Sequence, residues 1–366
     1  MHKRLTLKNF RGFKDFSMDL KPVTLIAGKN NTGKTSILES IFILHYFGNP
    51  EAFLNVPRIR GIVVRDFNAQ TIWDLLFHNM NTSIDSTLTI SLDKTLSTEL
   101  RKNHAIAQTG SIIAGEDATD FLNSIQSVPT SYFLECKFTD DASISEFDYF
   151  TDSDASGKPR LNVLVRSLER PPFYTKTDNS RSYFGPNVLP SNNEIDDWFG
   201  QVLHNNKKKK LIEALNILDN DVADIDRYPM HGLNDFYLTN NAGVKIPISI
   251  MGDGIRKIMH TALFLLSGSK KPLLLDEAEN GLHHSLHVKF WEMISTLAIQ
   301  ENRQIIATTH SQECIEGALD GIKEANLEDD FAFVRLDKSI DGRQVVPKMF
   351  TSAMLERALD KDREVR

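Results

Sequence analysis

The stretch Val23-Thr24-Leu25-Ile26-Ala27-Gly28-Lys29-Asn30-Asn31-Thr32-Gly33-Lys34-Thr35-Ser36-Ile37-Leu38-Glu39-Ser40-Ile41-Phe42 decides the fold class. Val23–Ala27 is a compact apolar run that ends in glycine and reads as a buried strand. Residues Gly28 to Thr35 satisfy G-x-x-x-x-G-K-[ST], and from Thr35 to Phe47 apolar residues recur at helical spacing, so the order is strand, loop, helix, as that motif requires. The chemistry follows from the residue types. Glycines let backbone N–H groups curl around phosphates at a helix N-terminus, so Gly28, Asn30, Asn31, Thr32, Gly33 and Ser36 are expected to line the phosphates. Lys34 is placed to reach the β- and γ-phosphates, and the Thr35 hydroxyl to hold Mg²⁺.

Two further strand ends complete the pattern. Lys271–Leu275 is an apolar strand delivering Asp276 and Glu277 at its carboxyl end, where α/β sheets place ligands. Asp276 suits a metal shell and Glu277 suits polarising an attacking water, as phosphoryl transfer needs both roles. Gln304–Ala307 is a second apolar strand, followed by Thr308, Thr309 and His310. A lone strand-end histidine is ordinarily structural, but its spacing behind Asp276 points to a γ-phosphate sensor.

Around these signals, residues 4–10 and 16–20 alternate like paired strands joined by the turn Arg11–Asp15. Residues 86–92, 132–138 and 161–166 read as further strands, separated by polar insertions at 100–130 and 151–160. The Pro-, Ser-, Asn- and Tyr-rich stretch from Pro171 to Pro190 marks a boundary between lobes. Helical patterns follow at 192–218, then a second α/β run begins near Ile246 with helices at 254–266, 284–299 and after Ser311. Between Ser36 and Ile248 no heptad array occurs, which argues against a long coiled-coil arm.

Composition narrows the function class. The chain has 366 residues, 41% of them hydrophobic, enough for a substantial core. A formal charge of -7 opposes a wholesale electrostatic grip on nucleic acid or an anionic membrane, leaving only local basic patches for such contacts. Two cysteines, Cys136 and Cys314, are too few for a disulfide framework and too far apart for a metal-ligand spacing, which fits a reducing cytoplasm. The opening ten residues alternate like a strand and lack the apolar block of a signal peptide. The apolar stretches fall short of the roughly 20 residues that span a bilayer. No membrane partner is expected.

The order of P-loop, glycine-rich turn, Asp-Glu strand end and strand-end histidine resembles the ABC ATPases. LTLKNFRGFKDF and IAGKNNTGKTSILESIF are similar to the RecF, SMC and overcoming-lysogenization-defect (OLD) ATPases. IPISIMGDGIRKI with LLLDEAENGLHHS resembles the OLD-like branch, which includes the ATPase halves of several bacterial anti-phage systems. The resemblance implies an α/β fold, an ABC ATPase head of the P-loop class. Its N-terminal lobe, residues 1–180, would be mixed α/β with antiparallel strands. Its C-terminal lobe, residues 181–366, would hold a helical segment and a parallel sheet bearing signature, Walker B acids and switch histidine.

The resemblance also implies ATP and Mg²⁺ as cofactors, with Lys34, Glu277 and His310 catalytic and Thr35 and Asp276 holding the metal. The signature is matched by Gly252, Asp253 and Gly254, which would contact the γ-phosphate bound in a second subunit. Gly252 stands where the family has a serine, leaving backbone amides rather than a hydroxyl for that contact. Glu279–His283 resembles the dimer-contacting loop, and Arg11 resembles an arginine that approaches the nucleotide. The Q-loop is assigned to no single residue: Gln70, His78 and Asn79 all stand in the relevant stretch.

Two copies, or a higher even number, are thus expected to sandwich ATP. The leading functional expectation is an anti-phage sensor that regulates a separately encoded nuclease or toxin, with DNA or a phage component as trigger. The stretch after His310 is too short for the Toprim nuclease that OLD proteins carry. The alternative is a RecF-like DNA repair or recombination ATPase; a transporter engine fits the opening motif poorly. Three weaker constellations read as structural: the His283, His284, His287 cluster, the Lys207–Lys210 run, which reads as a solvated face, and the Asp360-Lys361-Asp362 triplet.

Overall fold

The computed structural model describes residues 1–46, 56, 60, 74–81, 87–93, 96–103, 111–112, 133–140, 143–153, 159–168, 182–186, 188–218, 221–230, 233–339, 342 and 344–360. Among them, three sheets carry the architecture. The first is antiparallel. β1 (Arg4–Phe10) pairs with β2 (Phe13–Asp19) and, on its other side, with β4 (Leu88–Leu92). It continues through β5 (Leu96–Asn103), β7 (Phe133–Asp140), β8 (Ser143–Ser153) and β9 (Pro159–Leu168) to the short β6 (Ser111–Ile112). The antiparallel layer expected from the sequence is therefore present, but it is larger. β5 and β8 run into segments that read as polar insertions, and the first hairpin turn is tighter than Arg11–Asp15, because Phe10 already faces Phe13 in register.

The second sheet positions the site. Its order is β10 (Tyr183–Phe184), β14 (Leu273–Leu275), β15 (Ile305–Thr308), β3 (Val23–Gly28), β16 (Phe331–Lys338), β17 (Val345–Phe350). All neighbours are parallel except the last pair. β3, β14 and β15 are buried along their whole length, as parallel strands covered on both faces must be. β3 comes from the first 30 residues yet sits in the middle of this sheet, so the parallel sheet draws strands from both halves of the chain.

Helices cover the sheet. α1 (Lys34–His45) follows β3 and buries most of its length, with Ile37, Leu38 and Ile41 fully inside. The helical region at 192–218 is two helices, α2 (Asn192–His204), opened by a Ser191/Glu194 capping box, and α3 (Lys208–Leu218). They break at Asn206, whose φ of 54° is left-handed. A three-stranded antiparallel sheet that the sequence reading did not anticipate follows: β11 (Val222–Met230), β12 (Leu233–Asn240) and β13 (Lys245–Pro247). It leads into α4 (Asp253–Leu266), and the remaining helices are α5 (His287–Gln300), α6 (Gln312–Glu324) and α7 (Ser352–Leu359). Trp198, Phe264, Phe290 and Trp291 anchor the core under this layer.

Candidate functional site

Three parallel strands end side by side, and the site is built on their carboxyl ends. In register, Leu275 of β14 lies beside Ala307 of β15, which lies beside Leu25 of β3. The residues just past each strand, Gly28 to Lys34, Asp276 and Glu277, and Thr308 to His310, therefore converge. That is the crevice where open α/β sheets bind ligands.

The glycine-rich loop has the local geometry of an anion cradle. Gly33 caps α1 with φ 91° and provides no side-chain cap, and the helix bonding starts only with the Ile37 amide donating to the Gly33 carbonyl. The N–H groups of Lys34, Thr35 and Ser36 precede that bond and lie at the positive end of the helix dipole. A methyl at Gly33 would sit 2.5 Å from the Phe13 ring, and one at Gly28 would sit 2.7 Å from the Leu336 carbonyl, so both glycines are demanded by space. The Lys34 ammonium donates to the Gly28 carbonyl at 2.6 Å, keeping it inside the loop. Burial lowers its pKa, against the attraction of Asp276, Glu279 and Glu277.

Asp276 is the hub. Its carboxylate is 8% exposed and accepts from three hydroxyls: Thr35 at 3.0 Å, Tyr183 at 2.7 Å and Thr308 at 2.5 Å. A buried carboxylate must be compensated in this way. Tyr183, itself buried against the carboxylate, has its pKa raised by desolvation and by Asp276, so it stays a donor. The oxygen donors of Thr35 and Asp276 stand together and fit the oxygen-only preference of Mg²⁺.

Thr308 also orients the second acid. Its hydroxyl accepts from the Glu277 amide at 3.0 Å while donating to Asp276. Glu277 has φ 50°, a left-handed backbone rare outside glycine and asparagine. Beyond it, Glu279 accepts from both the His310 amide at 3.0 Å and His310 Nδ1 at 2.9 Å, which fixes the half-exposed histidine at the mouth of the site.

Arg11 lies at the back of the cradle. It contacts Glu39 at 3.2 Å, while Arg60 contacts the same carboxylate at 2.8 Å and Ser36 Oγ at 3.0 Å. Glu39 is fully buried on α1, and burial pushes the Arg11 guanidinium down to about 10 against its pull. His78 Nδ1 donates to the Arg11 carbonyl at 2.8 Å, and Gln70 lies outside the described residues.

The glycine-rich turn of the signature resemblance stands at the start of α4. Gly252 caps the helix with φ 94°, again without a side-chain cap, and the Asp253 side chain pairs with Arg256. A methyl on Gly254 would meet the Gly281 carbonyl at 2.9 Å, so this turn packs on the loop after the acids. Sequence reasoning thus named Lys34, Thr35, Asp276, Glu277 and His310. It missed Tyr183, Thr308, Glu39 and Arg60, whose partners are distant in the chain.

The weaker constellations resolve differently. Lys207 and Lys210 both pair with Glu301, Lys208 with Asp224 and Asp226, and Lys209 with Glu213; Lys209 and Lys210 remain exposed, so the basic run is a solvated face whose charges are matched by carboxylates of the same chain. His283 Nδ1 lies 2.9 Å from Ser285 Oγ and His287 is buried, and among the described residues no cluster of His, Cys, Asp and Glu is arranged to hold a metal. Lys361 and Asp362 lie outside the described residues. No described helix is long and apolar enough to cross a membrane.

Comparison with known proteins bears on this geometry. A family model described as an AAA ATPase domain matches residues 1–160 and 185–315. An ATP/GTP phosphatase of Helicobacter pylori is 23% identical over 380 aligned residues, which cover 97% of this chain and 97% of that protein. The OLD nuclease of Thermus scotoductus is 39% identical over 72 residues, covering 18% of this chain and 14% of that one. Among solved structures, an SMC head bound to the C-terminal winged helix of ScpA aligns over 98% of this chain and 99% of that one, at 13% identity and a TM-score of 0.48. The SMC head domain from Thermotoga maritima aligns over 96% and 98%, at 13% identity and 0.42. The family model takes in the glycine-rich cradle, both acids and the strand-end histidine, and with that match over most of its length the chain belongs to the AAA ATPase domain family and is an ATPase.

Proposed function

We propose that this ATPase is a nucleotide-driven switch in which two copies close on ATP and hydrolysis reopens them. One observation carries the reading: the Asp276 carboxylate gathers the Thr35 hydroxyl from the cradle and the Thr308 hydroxyl from the neighbouring strand. In this account the amides of Gly28 to Ser36 bind the phosphates and Lys34 neutralises the β- and γ-phosphates. Thr35 and Asp276 would hold Mg²⁺, which supplies charge neutralisation at the transferring phosphoryl group. Glu277 polarises the attacking water, and His310, steadied by Glu279, senses the γ-phosphate.

The Gly252–Gly254 turn is an uncapped helix N-terminus like that of the cradle, and its amides would meet the nucleotide of a second copy. Binding across that joint favours the closed dimer only while the γ-phosphate is present, a population shift between two states. The output of the switch is a separately encoded nuclease or toxin held or released during phage infection, and the trigger is DNA or a phage component. The local kinship with an OLD nuclease supports this placement, and a relative of the same extent named an ATP/GTP phosphatase supports the hydrolysis step. A native pull-down of the tagged chain with its neighbouring genes, comparing wild type with Lys34→Ala, tests it. A nuclease- or toxin-like partner retained in a nucleotide-dependent way is the expected result. Recovery of DNA and repair proteins alone would refute it.

A further inference from the structure

Lys257 lies at the start of the second turn of α4, and its ammonium leaves that helix to serve another element. It donates to the carbonyls of Asn280 at 2.7 Å, Ala278 at 2.8 Å and Glu277 at 3.4 Å. An ammonium has three N–H donors and no acceptor, so these three carbonyls use its whole capacity. The loop that receives them has two turn bonds of its own, from the Asn280 amide to the Glu277 carbonyl at 2.9 Å and from the Leu282 amide to the Glu279 carbonyl at 3.0 Å, and Lys257 joins it to α4. It passes through left-handed φ values of 50° at Glu277 and 76° at Gly281, and such a conformation costs a non-glycine residue of the order of 1–2 kcal/mol. The same loop meets α4 a second time, where Gly254 closes on the Gly281 carbonyl. The first turns of α4 and the segment from Glu277 to Gly281 therefore form one unit, joined at Lys257.

We infer that Lys257 is a positioning residue for hydrolysis: it holds the Glu277 backbone in its left-handed conformation and ties the aim of that carboxylate to the Gly252–Gly254 turn. The inference rests on Glu277 as the water-polarising residue. A turn engaged by phosphate and a turn left free then present Glu277 differently, because the ammonium moves with the helix. Neither P-loop nor metal ligands contribute to the joint, so its loss leaves the cradle's own hold on ATP intact.

Lys257 borders a cavity of about 220 Å³, shared with Phe184, Arg256 and His260. The charged and titratable groups around it are Glu277 and Glu279 on the loop, Cys314 on α6, and Asp253, Arg256 and His260 on its own helix. Burial pushes its pKa down to about 8 despite the attraction of the carboxylates. Between pH 7 and 9 the side chain therefore loses a proton and one of its three bonds.

The test uses the full chain, ATP and three variants, Lys257→Met, Lys257→Arg and Glu277→Gln, each followed for ATP affinity, kcat and kcat against pH. Lys257→Met is expected to bind ATP within about threefold of wild type while kcat falls roughly 100-fold, the scale of a misplaced reacting group. Lys257→Arg restores part of kcat and removes the decline between pH 7 and 9, since a guanidinium keeps its proton there. Wild-type kcat in Lys257→Met, or parallel loss of affinity and kcat, overturns the inference. Glu277→Gln separates the two claims. If it turns over at the wild-type rate, the reading of Glu277 fails; if it is inactive while Lys257→Met is unimpaired, only the role of Lys257 fails.

Discussion

Thr308→Val is the perturbation that probes the site most finely. The substitution keeps the shape of a fully buried side chain and removes one oxygen. That oxygen makes two bonds, donating to Asp276 at 2.5 Å and accepting from the Glu277 amide at 3.0 Å. A hydrogen bond to a charged group is worth about 1.5–3 kcal/mol and an orphaned amide costs about 1 kcal/mol or more, so the variant loses on the order of 3 kcal/mol. Thr308→Ser keeps both bonds and gives up one methyl, about 1 kcal/mol. Thermal melts and steady-state ATP hydrolysis on the three proteins distinguish the cases. Valine should lower Tm by several degrees and kcat by at least tenfold, because both acids lose their orientation, and serine should stay close to wild type in kcat. Equal kcat values for the valine and serine variants would refute the claim that the hydroxyl, rather than the packing, sets the acids.

Gly33→Ala should abolish ATP binding and lower Tm, since the left-handed φ of 91° and the 2.5 Å approach to Phe13 each oppose a methyl; adding Phe13→Leu should return part of the Tm, and unchanged ATP binding in Gly33→Ala would contradict the cradle geometry. Glu39→Gln should destabilise by about 2–3 kcal/mol, the low end for a broken buried pair because Arg60 is 37% exposed to solvent, and an unshifted melt would show that the two arginines need no carboxylate. Acid should weaken the fold through His45, whose pKa is pushed down from 6.5 to about 3 by burial and then by His2, Lys271 and Arg303. The folded-state value is depressed and the group is a base, so below pH 6.5 the unfolded chain takes up a proton that the fold refuses, and stability falls as pH drops from 6.5 toward 3. A His45→Gln variant should show a Tm-versus-pH slope shallower by one proton in that window, and identical slopes would remove His45 from the account.

The sequence announces the parts of the site that are local in the chain. Cradle, acids and strand-end histidine each follow an apolar strand, and backbone geometry alone requires that order. Tyr183 is different: it stands beside a Pro- and Ser-rich stretch, and only the parallel pairing of β10 with β14 brings its hydroxyl to Asp276, 93 residues on. Glu39 sits within an apolar helical run, where its spacing says nothing of two arginines converging on it. Thr308 stood just past the apolar strand with no role assigned to it, because its work is done on acids carried by a neighbouring strand. The β11–β12 hairpin was hidden by Pro229, which ordinarily demotes a strand but here stands one pair from the strand end, opposite Asn234. β16 is a buried parallel strand whose continuous apolar run has no period to separate it from a helix.

Sedimentation of Glu277→Gln with and without ATP and Mg²⁺, with phosphate release followed on the same samples, asks whether ATP alone closes two copies. The expected result is a monomer that becomes a dimer on adding ATP, stays dimeric, and releases no phosphate above background. A protein that remains monomeric with ATP bound, or one that hydrolyses ATP at the wild-type rate, would contradict it.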